Sequence, residues 1–242
     1  MPLRSSPLAR RPLVGRVLTG MLTGRLLAGP RIEDAVRVSA ELVADGRLVA
    51  LEHSPGPGDD AAAELASLIG QVHAAGLAAR CELTLPAGLT AATARRLGEA
   101  AAAVGLGVAA VPALDVPGAV VLVSSGHSAA EFRCRELADG RVRLLRGRGG
   151  TSDRTFVRCL NALMAGAGRP EIAASDPRLI AIAGERAAWN GRAPDSWEHV
   201  MPYGVQSDEQ HRLVAGGHLV RVAVPSGPGA VSGLARRIGG RS

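Results

Sequence analysis

From about residue 31 onward, short apolar runs alternate with helical stretches, and this alternation restricts the fold more than any other feature. IEDAVRVSAELVADG (residues 32–46) has apolar residues at helical spacing and a glycine stop at Gly46. RLVALEH (47–53) reads as a strand. DDAAAELASLIGQVHAAG (59–76) is a helix that opens on acids, where the helix dipole favours them, and closes on Gly76. LAARCELTL (77–85) is again a strand, and TAATARRLGEAAAAVG (90–105) a helix with Thr90 as its N-cap. The strands VAAV (108–111), AVVLVSS (119–125), RVRLLRG (141–147), EIAAS (171–175), SWEHVM (196–201) and HLVRVAV (218–224) complete a set of eight. Almost every one is followed by a helix. Strands that alternate with helices imply a parallel sheet, and eight such units predict an α/β fold of the closed (β/α)8 TIM-like type, with a doubly wound open sheet as the alternative.

One link departs from the pattern. Between Val111 and Ala119 lie only seven residues, PALDVPG, two of them proline. Adjacent parallel strands ordinarily need a crossover of about a dozen residues or more. The third connection is therefore expected to lack its helix, leaving the barrel incomplete, distorted or covered by a partner chain there; the alternative is that one of the two segments is not a strand.

Composition narrows the chemistry. All 28 basic residues are arginine, so mechanisms that need an ε-amine, such as a P-loop lysine or a Schiff base, are excluded. Six of those arginines precede Glu33, where no acid occurs, and the remainder balances at 22 arginines against 22 acidic residues. Five of the six positive charges thus belong to a basic arm (residues 1–30) ahead of a barrel domain (31–242), with Arg31 at the junction. The arm could touch an acidic partner or lie as an amphipathic helix on the inner membrane surface, since Arg16 and Arg25 interrupt its apolar stretch too often for a bilayer span. The absence of aromatic interleaving argues against nucleic acid. Cys81, Cys134 and Cys159 are odd in number and widely spaced, which fits a reducing cytoplasm rather than a disulfide or metal framework.

No histidine pair has metal-ligand spacing, and SSGHS (124–128) is not a nucleophile elbow. Two loops after strands, HSPGPGDD (53–60) and RGRGGTSDR (146–154), fall where barrel active sites form. The second is rich in glycine and arginine ahead of a helix, a composition suited to phosphate.

Several blocks in the C-terminal half carry a resemblance to a known family. RVRLLRGRGG resembles a strand ending in V-K-G-A-Y, and RPEIAASDPRLI resembles A-T-H-D-P-x-L-I. WEHVMPYGVQSDEQHRLVAGGHLVRVAVPSG resembles F-E-x-Q-M-L-Y-G-x-R followed by V-R-V-Y-V-P-Y-G, and LARR resembles a double arginine near the end. These are motifs of the proline dehydrogenase family, FAD-dependent (β/α)8 barrels that oxidise L-proline to pyrroline-5-carboxylate. The N-terminal half matches more weakly, through RCELT among others. The resemblance implies that Arg236 and Arg237 bind the carboxylate of a small amino or imino acid, a geometry suited to planar guanidinium groups. It implies catalytic positions at Glu82 and Tyr203, and FAD contacts at Arg146, Ser175, Asp176 and Glu198. A homo-oligomer is compatible with it.

The chain also departs from the family. Glu82 stands where the family has a lysine, Arg146 where it has the K-G-A-Y lysine, and Gly149 where it has that tyrosine. Ala174 and Ser175 replace a Thr-His pair, Val200 replaces a glutamine, and Ala223 and Ser226 replace two tyrosines. Small side chains in place of tyrosines are expected to widen and wet a flavin pocket and to loosen substrate placement. Two readings follow: a proline dehydrogenase-like flavoprotein, and a non-catalytic barrel that acts as a binding or regulatory partner.

Overall fold

The computed structural model describes residues 26–147 and 152–232. Eight parallel strands close into a barrel in sequence order: β1 (Leu48–His53), β2 (Cys81–Thr84), β3 (Gly107–Ala110), β4 (Val120–Ser124), β5 (Arg141–Leu145), β6 (Arg169–Ala173), β7 (Glu198–Pro202) and β8 (Leu219–Ser226). Around them lie α1 (Ile32–Ala44), which precedes β1, and α2 (Ala61–Ala74), α3 (Ala91–Ala103), α4 (Ala130–Glu136), α5 (Ser152–Ala165), α6 (Pro177–Trp189) and α7 (Ser207–Ala215). β8 returns to β1 over six register pairs, from Leu48↔Arg221 to His53↔Ser226.

Local sequence explains the element ends. Asp60 accepts from the amides of Ala62 and Ala63 to start α2, and Thr90 Oγ1 accepts from Thr93 N at 3.2 Å to start α3. Gly46 and Gly76 stop α1 and α2 at φ of +82° and +71°, values that a side chain would strain. The outward strand residues Val49, Leu51, Leu83, Leu144, Ile172, Val222 and Val224 are buried against Leu65, Leu68, Val72, Leu160 and Leu163 of the helices. Among the described residues Phe156 and Trp197 are the fully buried large aromatics, while Phe132 and Trp189 are exposed. Ala, Val and Leu build the rest of the core.

The link between β3 and β4 lacks an α-helix, as its length predicts. The third unit is thus incomplete in its helix layer, while the sheet itself stays closed and does not open there. β3 and β4 remain paired through Ala109↔Val120 and Ala110↔Val121. A single 3₁₀ turn (Pro112–Leu114) followed by Asp115 in the left-handed region, at φ +46°, turns the chain back within nine residues. Leu114 is buried, and Val116 sits so close to Gly98 of α3 that a Cβ on Gly98 would stand 2.5 Å from Val116 Cγ1. This notch lets the short link seal the wall where the helix is missing.

Among the described residues no helix is long and apolar enough to cross a membrane. Most of the basic arm, the Arg148–Thr151 stretch and the Arg236–Arg237 pair lie outside the described residues.

Candidate active site at the mouth of the barrel

In a (β/α)8 barrel, chemistry gathers at the C-terminal ends of the strands, here called the mouth; the N-terminal ends form the floor. Alternation along each strand fixes which side chains enter the interior. From floor to mouth these are Leu48, Ala50 and Glu52 of β1; Glu82 and Thr84 of β2; Arg141, Arg143 and Leu145 of β5; Arg169, Glu171 and Ala173 of β6. Glu198, Val200 and Pro202 of β7 and Leu219, Arg221 and Ala223 of β8 follow, and β3 and β4 add Gly107, Ala109, Val120 and Leu122. The strand registers align these sets.

The lower half of this interior is a charge network. Arg143, 1% exposed, donates from Nε to Glu171 at 2.7 Å, to Glu82 through a short contact, and from Nη1 to Thr84 Oγ1 at 3.2 Å. Arg141 reaches Glu82 and Glu171 at 3.4 Å each. Arg221 donates to Glu198 at 2.7 Å and to the Val49 carbonyl at 3.0 Å. Buried charges persist only where they are paired and hydrogen-bonded in this way.

The upper half is mostly small and apolar, with Ala109, Ala173, Val200 and Ala223 facing inward, and one carboxylate, Glu52. Among the described residues no hydrogen bond or ion pair engages Glu52. Burial lifts its carboxyl above the ordinary range, and the Arg143 guanidinium beneath partly opposes that rise. A desolvated carboxylate in a barrel mouth suits a cationic nitrogen or a proton-transfer role. Sequence reasoning did not single out Glu52. Its inward register at the end of β1, next to a loop after a strand, was the available signal.

The residues singled out from the sequence do not all converge. Arg146, Ser175 and Asp176 stand together at the mouth. Arg146 grips Asp153 bidentately at 2.6 and 2.9 Å, which raises its own pKa and holds the Asp153 carboxyl below the usual range. Asp176 caps α6 by accepting from Arg178 N at 2.9 Å, and the Ser175 carbonyl accepts from Gln206 Nε2 at 2.7 Å. A pocket of about 510 Å³ beside them is lined by Arg154, Arg158, Arg178, Asp153, Asp176 and apolar residues of α5 and α6. Glu82 and Glu198 lie in the lower charge network instead, near the floor. Tyr203 follows inward Pro202 and points out of the barrel wall, lining a surface pocket with Leu42, Asp45, Arg47 and His211.

Ser226, at a position where the resemblance has a tyrosine, is fully buried rather than wet. Its Oγ lies 2.9 Å from His53 Nδ1, and His53 Nε2 lies 2.8 Å from Glu64 of α2. The imidazole fills space next to the smaller side chain and ties β8, β1 and α2 together.

Solved structures with this architecture include proline utilization A from Bdellovibrio bacteriovorus inactivated by N-propargylglycine, at 13% identity and a TM-score of 0.80. That match covers 93% of this chain and 33% of the other. Proline utilization A from Corynebacterium freiburgense matches at 13% identity and a TM-score of 0.71, over 93% of this chain and 31% of that one. The D778Y mutant of the Bradyrhizobium japonicum protein matches at 15% and 0.66, over 90% and 30%. The likeness is one of fold. This chain spans about a third of the length of those proteins. No protein-family model matches the chain, and no curated protein matches it.

The mouth fits a flavin in two respects. Its inward wall carries Ala173, Val200 and Ala223, with no aromatic side chain among them, and Arg146, Arg154 and Arg178 stand near the N-terminal ends of α5 and α6, where a pyrophosphate is favoured. Glu198, at the floor end of β7, is too deep in the Arg221 pair to contribute.

Proposed function

We propose that this chain is a proline dehydrogenase-like protein whose barrel mouth takes a small amino or imino acid beside FAD. The observation that carries the reading is Glu52, a buried carboxyl that makes no hydrogen bond or ion pair among the described residues, inside the mouth of a barrel that shares its fold with a third of proline utilization A. Glu52 would receive the substrate nitrogen, Arg236 and Arg237 its carboxylate, and Arg146, Ser175 and Asp176 the cofactor. Bound flavin supplies the two-electron acceptor for amine oxidation. Residues 31–242 form the barrel domain in this reading. Residues 1–30 are a basic arm for an acidic partner or an anionic membrane surface in the cytoplasm, and self-association is compatible with either use.

A second reading, a non-catalytic barrel, is favoured by Glu82. Where the family has a lysine, this carboxylate is held by Arg143 and Arg141, and Tyr203 faces away from the mouth. One experiment separates the two. The purified protein is mixed with FAD, desalted and reduced anaerobically with L-proline. Retained flavin that bleaches supports the enzyme; retained flavin that never bleaches supports the non-catalytic barrel. A protein that retains no flavin contradicts FAD as its cofactor.

A further inference from the structure

The opposite end of the barrel carries a feature that the reaction at the mouth does not use. A pocket of about 510 Å³ opens at the floor, lined by residues at or near the N-terminal ends of the strands: Leu48, Ala79, Arg80, Arg141, Arg169, Glu198, Leu219 and Arg221. Arg141 and Arg169 are direct register partners on neighbouring strands, and both enter the same opening. Like charges placed directly opposite on adjacent strands repel. Their side chains are 42% and 48% exposed, so their heads reach the pocket rather than being sealed beneath it.

The carboxylates below do not balance this charge. Five guanidinium groups (Arg80, Arg141, Arg143, Arg169 and Arg221) share three floor carboxylates (Glu82, Glu171 and Glu198), and Arg143 and Arg221 already take the closest contacts to all three. Arg141 is left with 3.4 Å contacts through Nη2, and Arg169 with one 3.6 Å approach to Glu198. Arg80 donates from Nη2 to the Gly46 carbonyl, which fixes its head at the rim without neutralising it. Glu52 lies beyond Arg143, at the far end of the interior, and cannot reach the opening. Two positive charges are thus in surplus around a polar cavity.

The geometry points to an anion site at the floor of the barrel, in which Arg80, Arg141 and Arg169 bind a dianionic oxyanion of the phosphate type. Guanidinium forks match the paired oxygens of such an ion, and a doubly charged ion matches the surplus. Shared chemistry leaves two sources, free phosphate and the phosphate group of a small metabolite. The site stands apart from the flavin reading, since it lies at the other end of the strands.

The test is calorimetric titration of the intact chain with inorganic phosphate and with glycerol 3-phosphate, at constant ionic strength in chloride. Saturable binding is expected, because guanidinium forks pair with the oxygens of a phosphate in a way that chloride cannot reproduce. Tighter binding of glycerol 3-phosphate would assign a phosphomonoester, and tighter binding of inorganic phosphate the free ion. Arg169→Gln is expected to weaken either ligand by about tenfold or more, the loss of one charge-assisted contact. Arg169→Lys should retain most of the affinity, and Arg37→Gln, on the outer face of α1, all of it. Thermal melts of each variant without ligand check that the fold is kept. The inference is overturned if neither ligand saturates, or if Arg169→Gln and Arg37→Gln bind equally well, which would place the anion elsewhere.

Discussion

Replacing Arg143 by methionine is expected to destabilise the barrel by about 3–5 kcal/mol, the usual cost of removing one partner from a buried ion pair. For a chain of this size that corresponds to a fall in Tm of roughly 6–20 °C. Arg143 is 1% exposed and is the strongest partner of both Glu82 and Glu171, which are equally buried. Without it, two carboxylates share the interior with only Arg141 at 3.4 Å and Arg221 at 3.9 Å from Glu171. Desolvation then outweighs the attraction that remains. The cost comes from stranded charge rather than lost volume, so Arg143→Met combined with Glu82→Gln and Glu171→Gln should recover most of the loss. Thermal or urea unfolding of the single and triple variants measures both effects. A single-variant loss under about 1 kcal/mol would show that the network contributes little more than exposed ion pairs do.

Stability is expected to fall between about pH 6.5 and pH 4 through His199. Burial, with the nearby His218 ring, lowers its pKa from 6.5 to about 4, against a smaller opposing pull from Glu209. The unfolded chain therefore binds a proton in this window that the folded chain refuses. More protons on the unfolded state make stability rise with pH, so the contribution is complete above pH 6.5 and lost on acidification towards pH 4. A shift of this size is worth no more than about 3.5 kcal/mol. His199 packs against Trp197, with ring centres 4.2 Å apart, and its Nε2 is buried without a hydrogen-bond partner among the described residues. His199→Leu should flatten this part of the pH profile and leave the carboxylate-driven part below it. An unchanged slope in the variant would assign the pH dependence to other groups.

The fold was legible because its signals are local. Periodicity located all eight strands, Thr90 and Gly46 marked element ends, and seven residues between Val111 and Ala119 were too few for a helix. Closure of the barrel at that link was not legible. It depends on Val116 fitting against Gly98 of a neighbouring helix, a contact no spacing rule reports. The site was legible in part. Arg146, Ser175 and Asp176 fall at strand ends, and strand ends become the mouth. Glu82 and Glu198 look like functional acids in a motif, but their depth in the barrel depends on strand register. Each acquires an arginine from a strand far away in sequence: Arg143 is 61 residues from Glu82, and Arg221 is 23 residues from Glu198. His199 and His218 show no ligand spacing, and only the pairing of β7 with β8 sets their rings 5.6 Å apart. Glu52 was missed because one carboxylate at the end of a strand has no pattern until the interior around it is seen to be small and apolar.

The most direct measurement is calorimetric titration of L-proline into the FAD-saturated chain, compared with its Glu52→Gln variant. Glutamine keeps the shape of Glu52 and removes the charge that would hold the substrate nitrogen. Saturable binding to the unaltered chain is expected, weakened by about tenfold or more in the variant, as loss of one charge-assisted contact requires. Absence of binding to the unaltered chain, or equal affinity in both proteins, would contradict an amino or imino acid site at the mouth of this barrel.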